Sequence, residues 1–249
     1  MYIRHCLSAA ASLLLLLSSS SLIAESPAER ARAEVEAAIH LESDLEAGRK
    51  SFMICTVCHR PEGWGTEDGI YPQIAGQLPG VIIKQLADIR ARNRDNPTML
   101  PFTSPQLLGG VQEIANVAAY ISQLPMAPVN GVGPGIDLAL GEQLYKDNCV
   151  DCHGDQGQGD EEDHIPLIQG QHYHYLLRQF QWIKMGKRRN ADQKMVKQIQ
   201  RFSGRDISAV LDYASRLKPP VEKLATPNWQ NPDFPNYYRA TPVPPRGYR

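Results

Sequence analysis

Apolar residues return at intervals of three and four along most of the chain and almost nowhere at alternate positions, which predicts helices and no sheet. Ile82, Leu86 and Ile89 make one stripe, and Leu176, Phe180 and Ile183 make a second; each predicts an amphipathic helix. A closing helix follows each: Ile114, Ala118 and Ile121 with Tyr120, then Ile207, Val210, Leu211 and Ala214 with Tyr213. The latter opens on Ser203 and Asp206, spaced as a capping box. Residues 25–52 are helix-favouring as well, with Ala33, Ala37, Ala38, Leu41 and Leu45 on one face. The acids Glu29, Glu34, Glu36, Glu42, Asp44 and Glu46 there read as a solvated face.

The pattern is written twice. Leu138 to Tyr145 copies Leu45 to Phe52, with Gly141 and Tyr145 standing where Gly48 and Phe52 stand. A glycine inside a helix costs about 1 kcal/mol relative to alanine, so a repeated one predicts close approach of another helix, with the aromatic filling the contact. Tyr71-Pro72-Gln73-Ile74-Ala75-Gly76-Gln77 is answered by Ile165-Pro166-Leu167-Ile168-Gln169-Gly170-Gln171. Between the halves, proline and glycine rule out regular structure and predict a linker over 126–136. The first domain then spans 25–125 and the second 137–218, followed by a proline-rich, aromatic tail over 219–249 that lies extended across a domain or a partner.

The strongest chemical signal lies just after the repeated glycine and aromatic. Cys55-Thr56-Val57-Cys58-His59 and Cys149-Val150-Asp151-Cys152-His153 each set two thiols beside an imidazole. Thiols at this spacing can add to the two vinyl groups of a haem while the histidine takes one axial position of its iron. A lone C-x-x-C would also suit half a zinc site or a redox dithiol; two copies in equivalent contexts point to two covalently attached haem c groups. The attachment candidates are Cys55, Cys58, Cys149 and Cys152, with His59 and His153 as iron ligands. Met99 and Met195 are the candidate sixth ligands, because they recur at matching places after the two histidines. Met53, Met126 and Met185 lack counterparts and read as packing or surface residues, and His40 and His164 as surface histidines. His172 and His174 offer an alternative, bis-histidine site in the second half. The turns at Pro72 and Pro166 are placed to offer a carbonyl to each axial histidine. A polar, glycine-bearing loop follows each motif, Arg60 to Gly65 and Gly154 to Gly159, with Arg60 where the second copy has glycine.

Charge and the N-terminus place the chain. The formal net charge of -1 over 249 residues excludes the strong basic excess of a nucleic-acid binder. A cluster around Met195, including Lys184, Lys187, Arg188, Arg189, Lys194, Lys197, Arg201 and Arg205, is the candidate docking face for an acidic redox partner. The acidic run Asp160 to Asp163 reads as surface. Residues 1–24, with Arg4 ahead of the apolar run Leu7 to Leu17 and Ala24 at its end, read as a secretory signal cut after Ala24, which sends the protein to the periplasm. Of the five cysteines only Cys6 lies in that leader, and the other four fill the two motifs. No nucleophilic triad, phosphate loop or dinucleotide fingerprint stands out, so the expectation is an electron carrier rather than an enzyme.

In the order C-x-x-C-H, Pro-x-Ile/Leu-x-Gly-Gln, arginine/asparagine cluster, methionine and closing helix with tyrosine, Leu45 to Leu217 resembles two class I cytochromes c in tandem. The pair resembles the diheme cytochrome c-four family of exported bacterial proteins. That resemblance implies an all-α protein of two haem domains with their haem edges close. It further implies a shuttle between a membrane cytochrome complex and a terminal oxidase or reductase; peripheral membrane association is a separate expectation for such a partner. Two other readings stand beside it: the cytochrome subunit of a flavoprotein, sulfide-type dehydrogenase, and a diheme thiosulfate-oxidising enzyme.

Overall fold

The computed structural model describes residues 24–235. The leader expected over 1–24, apart from Ala24, and the tail beyond Pro235, with Tyr237, Tyr238, Pro244 and Pro245, lie outside the described residues. Within them the chain forms ten α-helices and no named strand, with only two isolated bridges, Met126 to Leu224 and Asp160 to Ile165.

The expected run of helix over 25–52 is broken. Helix α1 (Pro27–Ile39) opens on a capping box in which Ser26 accepts from the Glu29 amide and Glu29 accepts from the Ser26 amide. Helix α2 (Leu45–Phe52) starts afresh on Asp44, whose carboxylate accepts from the amides of Glu46 and Ala47 at 2.8 and 3.1 Å. A capping aspartate satisfies helix-end donors that water would otherwise serve, so Asp44 favours a new start over continuation. The buried face also differs from expectation: Ala31, Val35 and Ala38 turn inward, while Ala33, Ala37 and Leu41 are exposed. Glu34 is not solvated, because it pairs with Arg90 at 2.5 Å, both side chains mostly covered.

The other stripes fold as their periodicity predicts. In the first domain α3 (Thr56–His59), α4 (Pro79–Arg90) and α5 (Val111–Gln123) follow α2; in the second, α6 (Leu138–Asn148), α7 (Val150–His153), α8 (Tyr173–Lys184), α9 (Gln193–Ile199) and α10 (Gly204–Arg216) repeat the order with one helix added. Each half has its own core, one around Phe52, Ile114 and Ile121, the other around Tyr145, Phe180 and Val210. Both glycines sit where helices cross. A Cβ on Gly48 would lie 2.2 Å from the Asn116 carbonyl oxygen of α5, and one on Gly141 2.2 Å from that of Ala209 in α10. Beside each crossing an aromatic pair closes the gap, Phe52 with Tyr120 at 5.3 Å and Tyr145 with Tyr213 at 5.5 Å between ring centres.

The tail crosses back to the first domain. After α10 it makes a short 3-10 turn, Val221–Lys223, then runs beside the linker, Met126 donating to Lys223 and Ala225 to Met126 at 2.8 and 2.9 Å. Trp229 packs on Trp64 with ring centres 5.8 Å apart, and Phe234 on Phe52 at 5.9 Å. Between them Asn231, 2% exposed, donates to the Pro61 carbonyl at 2.7 Å and to the Tyr120 hydroxyl at 3.0 Å. That hydroxyl donates to Asp233 at 2.7 Å.

Candidate haem-attachment sites

Each C-x-x-C-H motif is carried out of a core-packed helix on a tight turn. Phe52 ends α2, and the 3-10 turn Met53–Cys55 leads into α3, which holds Cys58 and His59. In the second domain Cys149 joins α6 to α7, its amide donating to Tyr145 at 2.8 Å, and Cys152 and His153 follow. Burial, then the neighbouring cysteine, pushes the Cys55 and Cys149 thiols up to about 12. Among the described residues no cluster of three His, Cys, Asp or Glu side chains is arranged to hold a metal ion.

The two histidines are held identically. His59 Nδ1 lies 3.0 Å from the Pro72 carbonyl oxygen, and His153 Nδ1 lies 3.0 Å from that of Pro166. A carbonyl can only accept, so Nδ1 carries the proton and the lone pair sits on Nε2, the nitrogen left for iron. Burial lowers both imidazole pKa values, against the pull of the carbonyls, and keeps the rings neutral. The loops after the motifs close the same way: Gly65 donates to the His59 carbonyl at 3.0 Å and Gly159 to that of His153 at 2.9 Å. Arg60 takes φ 65°, ψ 161°, nearly the geometry of Gly154 at φ 77°, ψ 164°, a region almost reserved for glycine.

On the methionine side the domains diverge. Met99 is half-buried at the entry to the 3-10 turn Leu100–Thr103, whereas Met195 is half-buried in α9, a helix the periodicity does not predict, and packs on the second core. Asp192 caps α9 by accepting from the Met195 amide at 3.1 Å. The uncounterparted methionines fall where expected: Met53 and Met185 are 57% and 69% exposed, and Met126 is buried at 1%.

The histidine alternatives resolve differently. His172 is buried at 2%, its Nδ1 accepting from the Gly131 amide at 3.0 Å and its Nε2 donating to the Trp64 carbonyl at 2.7 Å. Both of its nitrogens are thus engaged between the domains, by the linker on one side and the first domain on the other. His174 is exposed beside the Tyr173 ring, and His40 is exposed 3.2 Å from Glu36. His164 is no simple surface residue, since it is half-buried and its Nδ1 is sealed from solvent.

Sequence reasoning missed a second feature of the interface. Arg94 and Arg188 meet there, sharing the side-chain oxygens of Gln85 and Gln179 at 2.8–3.1 Å. Burial and the neighbouring Arg94 charge lower the Arg188 pKa to about 9. Burial alone would raise the Tyr175 hydroxyl, but Arg94 and Arg188 bring it below its ordinary value. Two guanidiniums withdrawn from water need an anion, and the nearby carboxylate of Asp88 already binds Lys84, Asn93 and Asn190 at 2.6–2.7 Å. Haem carries two carboxylates, so this cationic pair fits the group that the paired thiols and neutral imidazoles call for. The signal was legible as a repeat: Gln85 and Arg94 stand as far beyond His59 as Gln179 and Arg188 stand beyond His153.

The Cytochrome c family model matches this chain twice, over residues 45–125 and 138–218. The chain belongs to the cytochrome c family. It is 31% identical over 193 residues to a cytochrome c4 of Thiocapsa roseopersicina, covering 73% of this chain and 97% of that one. Reduced recombinant cytochrome c4 from Pseudomonas stutzeri superposes with a TM-score of 0.63 at 27% identity, over 71% of this chain and all of that one. Thiosulfate dehydrogenase (TsdBA) from Marichromatium purpuratum, as isolated, gives 0.58 at 27% identity, over 72% of this chain but 41% of the other. This cytochrome c is therefore a tandem, all-α, c4-like protein that binds two haem c groups covalently and carries electrons.

Proposed function

We propose that the protein is a periplasmic diheme shuttle between respiratory partners, exported by a leader cut after Ala24, with its domains at 25–125 and 137–218, a linker at 126–136 and a tail at 219–249. Cys55 and Cys58 hold one haem and Cys149 and Cys152 the other, with His59 and Met99, and His153 and Met195, as axial ligands. The observation that carries this is the duplicated histidine setting: two neutral imidazoles, each directed by a proline carbonyl 3.0 Å from Nδ1. Bound haem supplies one-electron iron chemistry. The chain supplies the thiols, the orientation of Nε2, the thioethers and two apolar cores that keep water away. No helix among the described residues is long and apolar enough to cross a membrane.

The partners are redox proteins: a membrane cytochrome complex as donor, and a terminal oxidase or reductase as acceptor. The basic face around Met195 is narrower than the sequence suggests, because Arg188 turns into the interface and Arg205 pairs with Asp137 at 2.8 Å. Lys187, Lys194 and Lys197 remain exposed for an acidic partner. Reduction by a quinol-oxidising membrane complex, and reoxidation by an oxidase at rates that fall with salt, test this reading; indifference to both partners ends it. The likeness to thiosulfate dehydrogenase favours one second reading, a cytochrome module that accepts electrons from thiosulfate oxidation. Reduction by thiosulfate only in the presence of a thiosulfate-oxidising subunit would select it.

A further inference from the structure

The two Pro-x-x-x-Gly-Gln segments face each other across the domain boundary, and their glutamines bond reciprocally. Gln77 of the first domain donates to the Leu167 carbonyl at 2.9 Å and accepts from the Leu167 amide at 2.9 Å. Gln171 of the second donates to the Gln73 carbonyl at 2.8 Å and accepts from the Gln73 amide at 3.1 Å. Each side-chain amide thus makes a two-point clamp on one residue of the opposite domain. That residue is not arbitrary. The Leu167 amide belongs to the same peptide group as the Pro166 carbonyl, which directs His153, and the Gln73 amide to the same group as the Pro72 carbonyl, which directs His59.

We propose that Gln77 and Gln171 are crossed positioning residues, so that each domain sets the axial histidine of the other. The chain of bonds runs from His153 Nδ1–H to the Pro166 carbonyl, through that peptide to the Leu167 N–H, and on to Gln77 Oε1; its mirror runs from His59 to Gln171. A peptide whose N–H is engaged has a more negative carbonyl, because hydrogen bonds in series polarise one another. The stronger acceptor draws on Nδ1–H, makes the imidazole a more basic ligand and favours the ferric state. The clamp also fixes the plane of the peptide, and with it the direction in which Nε2 points. Both glutamines are anchored for this: Leu78 donates to Gln77 Oε1 at 3.1 Å, His172 to Gln171 Oε1 at 3.0 Å, and Asn130 to the Gln171 carbonyl at 2.9 Å. The first-domain peptide is held more firmly, since Gln73 adds its own side-chain bonds to Gly170 and from Ala127, at 2.9 and 2.7 Å, and Leu167 has none to add.

This inference rests on the axial ligands given above, and its test separates the two. In the mature diheme protein, Gln171→Met and Gln77→Met remove the clamps at nearly constant volume, and a redox titration reads both haems. Each wave is assigned by the one that Met99→Ala or Met195→Ala displaces. Gln171→Met is expected to raise the potential of the haem at His59 and to move the haem at His153, its own domain, by less; Gln77→Met is expected to do the reverse, with the larger shift of the two variants because Leu167 lacks a second hold. Gln171→Asn and Gln77→Asn keep a polar amide in the interface but fall one methylene short, and give the same crossed pattern if the Met forms do not mature. Shifts that fall on the haem of the mutated domain, that are equal on both, or that do not occur would overturn the crossing. Methionine variants that displace no wave would instead fault the ligand assignment.

Discussion

The two domains share their proximal side and their main helix crossing and differ in the elements that cover them. The thiols, the histidine, the proline carbonyl and the glycine crossing repeat with nearly the same distances. The first domain alone carries α1, packed on α4 and α5, and alone is strapped by the tail from Trp229 to Phe234. The second domain instead adds α9, which puts Met195 on a helix where Met99 sits on a turn. The histidine side of each site is duplicated, whereas the methionine side and the cover of each domain diverge.

The heaviest blow to either domain should come at the shared crossing. Gly48→Ala or Gly141→Ala sets a Cβ 2.2 Å from a backbone carbonyl oxygen, which no side-chain adjustment relieves. Each should destabilise its own domain by about 3 kcal/mol, the upper end of typical overpacking penalties, as read by thermal melting with a haem-band signal for each domain. Equal tolerance of alanine at both sites would mean that the helices do not meet as described.

Next in size are changes that touch one domain only. Arg60→Gly should stabilise the first domain and Gly154→Ala destabilise the second, each by about 1–3 kcal/mol, because both positions occupy the same glycine region. Asn231→Ala should cost the first domain about 1–3 kcal/mol by leaving the buried Pro61 carbonyl unpaired, and should leave the second unmoved. Denaturant melts of the variants check both; a drop in the second domain on Asn231→Ala would show that the tail belongs to the interface rather than to the first domain.

The smallest effect concerns the boundary itself. Burial holds the His172 pKa below its ordinary value, so the folded protein keeps the ring neutral where the unfolded chain binds a proton. Its contribution is fully present above about pH 6.5 and is lost as pH falls from there through the folded value. His172→Gln can still donate and accept but does not titrate, and should flatten the acid side of the stability profile. An unchanged acid slope would remove His172 as its cause.

Much of this was legible in the sequence because periodicity and duplication are strong signals. The stripes of α4, α5, α8 and α10 point inward, Ser203 and Asp206 form the capping box, and Pro72 and Pro166 hold the histidines. What was not legible depends on contacts far apart in the chain. The inward turn of Ala31 and Glu34 follows from Arg90, the role of His172 from Trp64 and Gly131, and the docking of the tail from Pro61 and Tyr120. Helix α9 escaped because seven residues capped by Asp192, about two turns, leave too short a stripe to read.

If each iron is held by a histidine and a methionine, Met195→Ala reveals it through the sulfur-to-iron charge-transfer band and a redox titration. The mature mass should still include two haems, since Cys149 and Cys152 are untouched. The second haem should lose its band and fall in potential, because thioether sulfur favours the ferrous state, while the haem at His59 shifts much less and Met185→Ala changes neither. Loss of the band in Met185→Ala with its retention in Met195→Ala would place the second haem's sulfur ligand on Met185 instead.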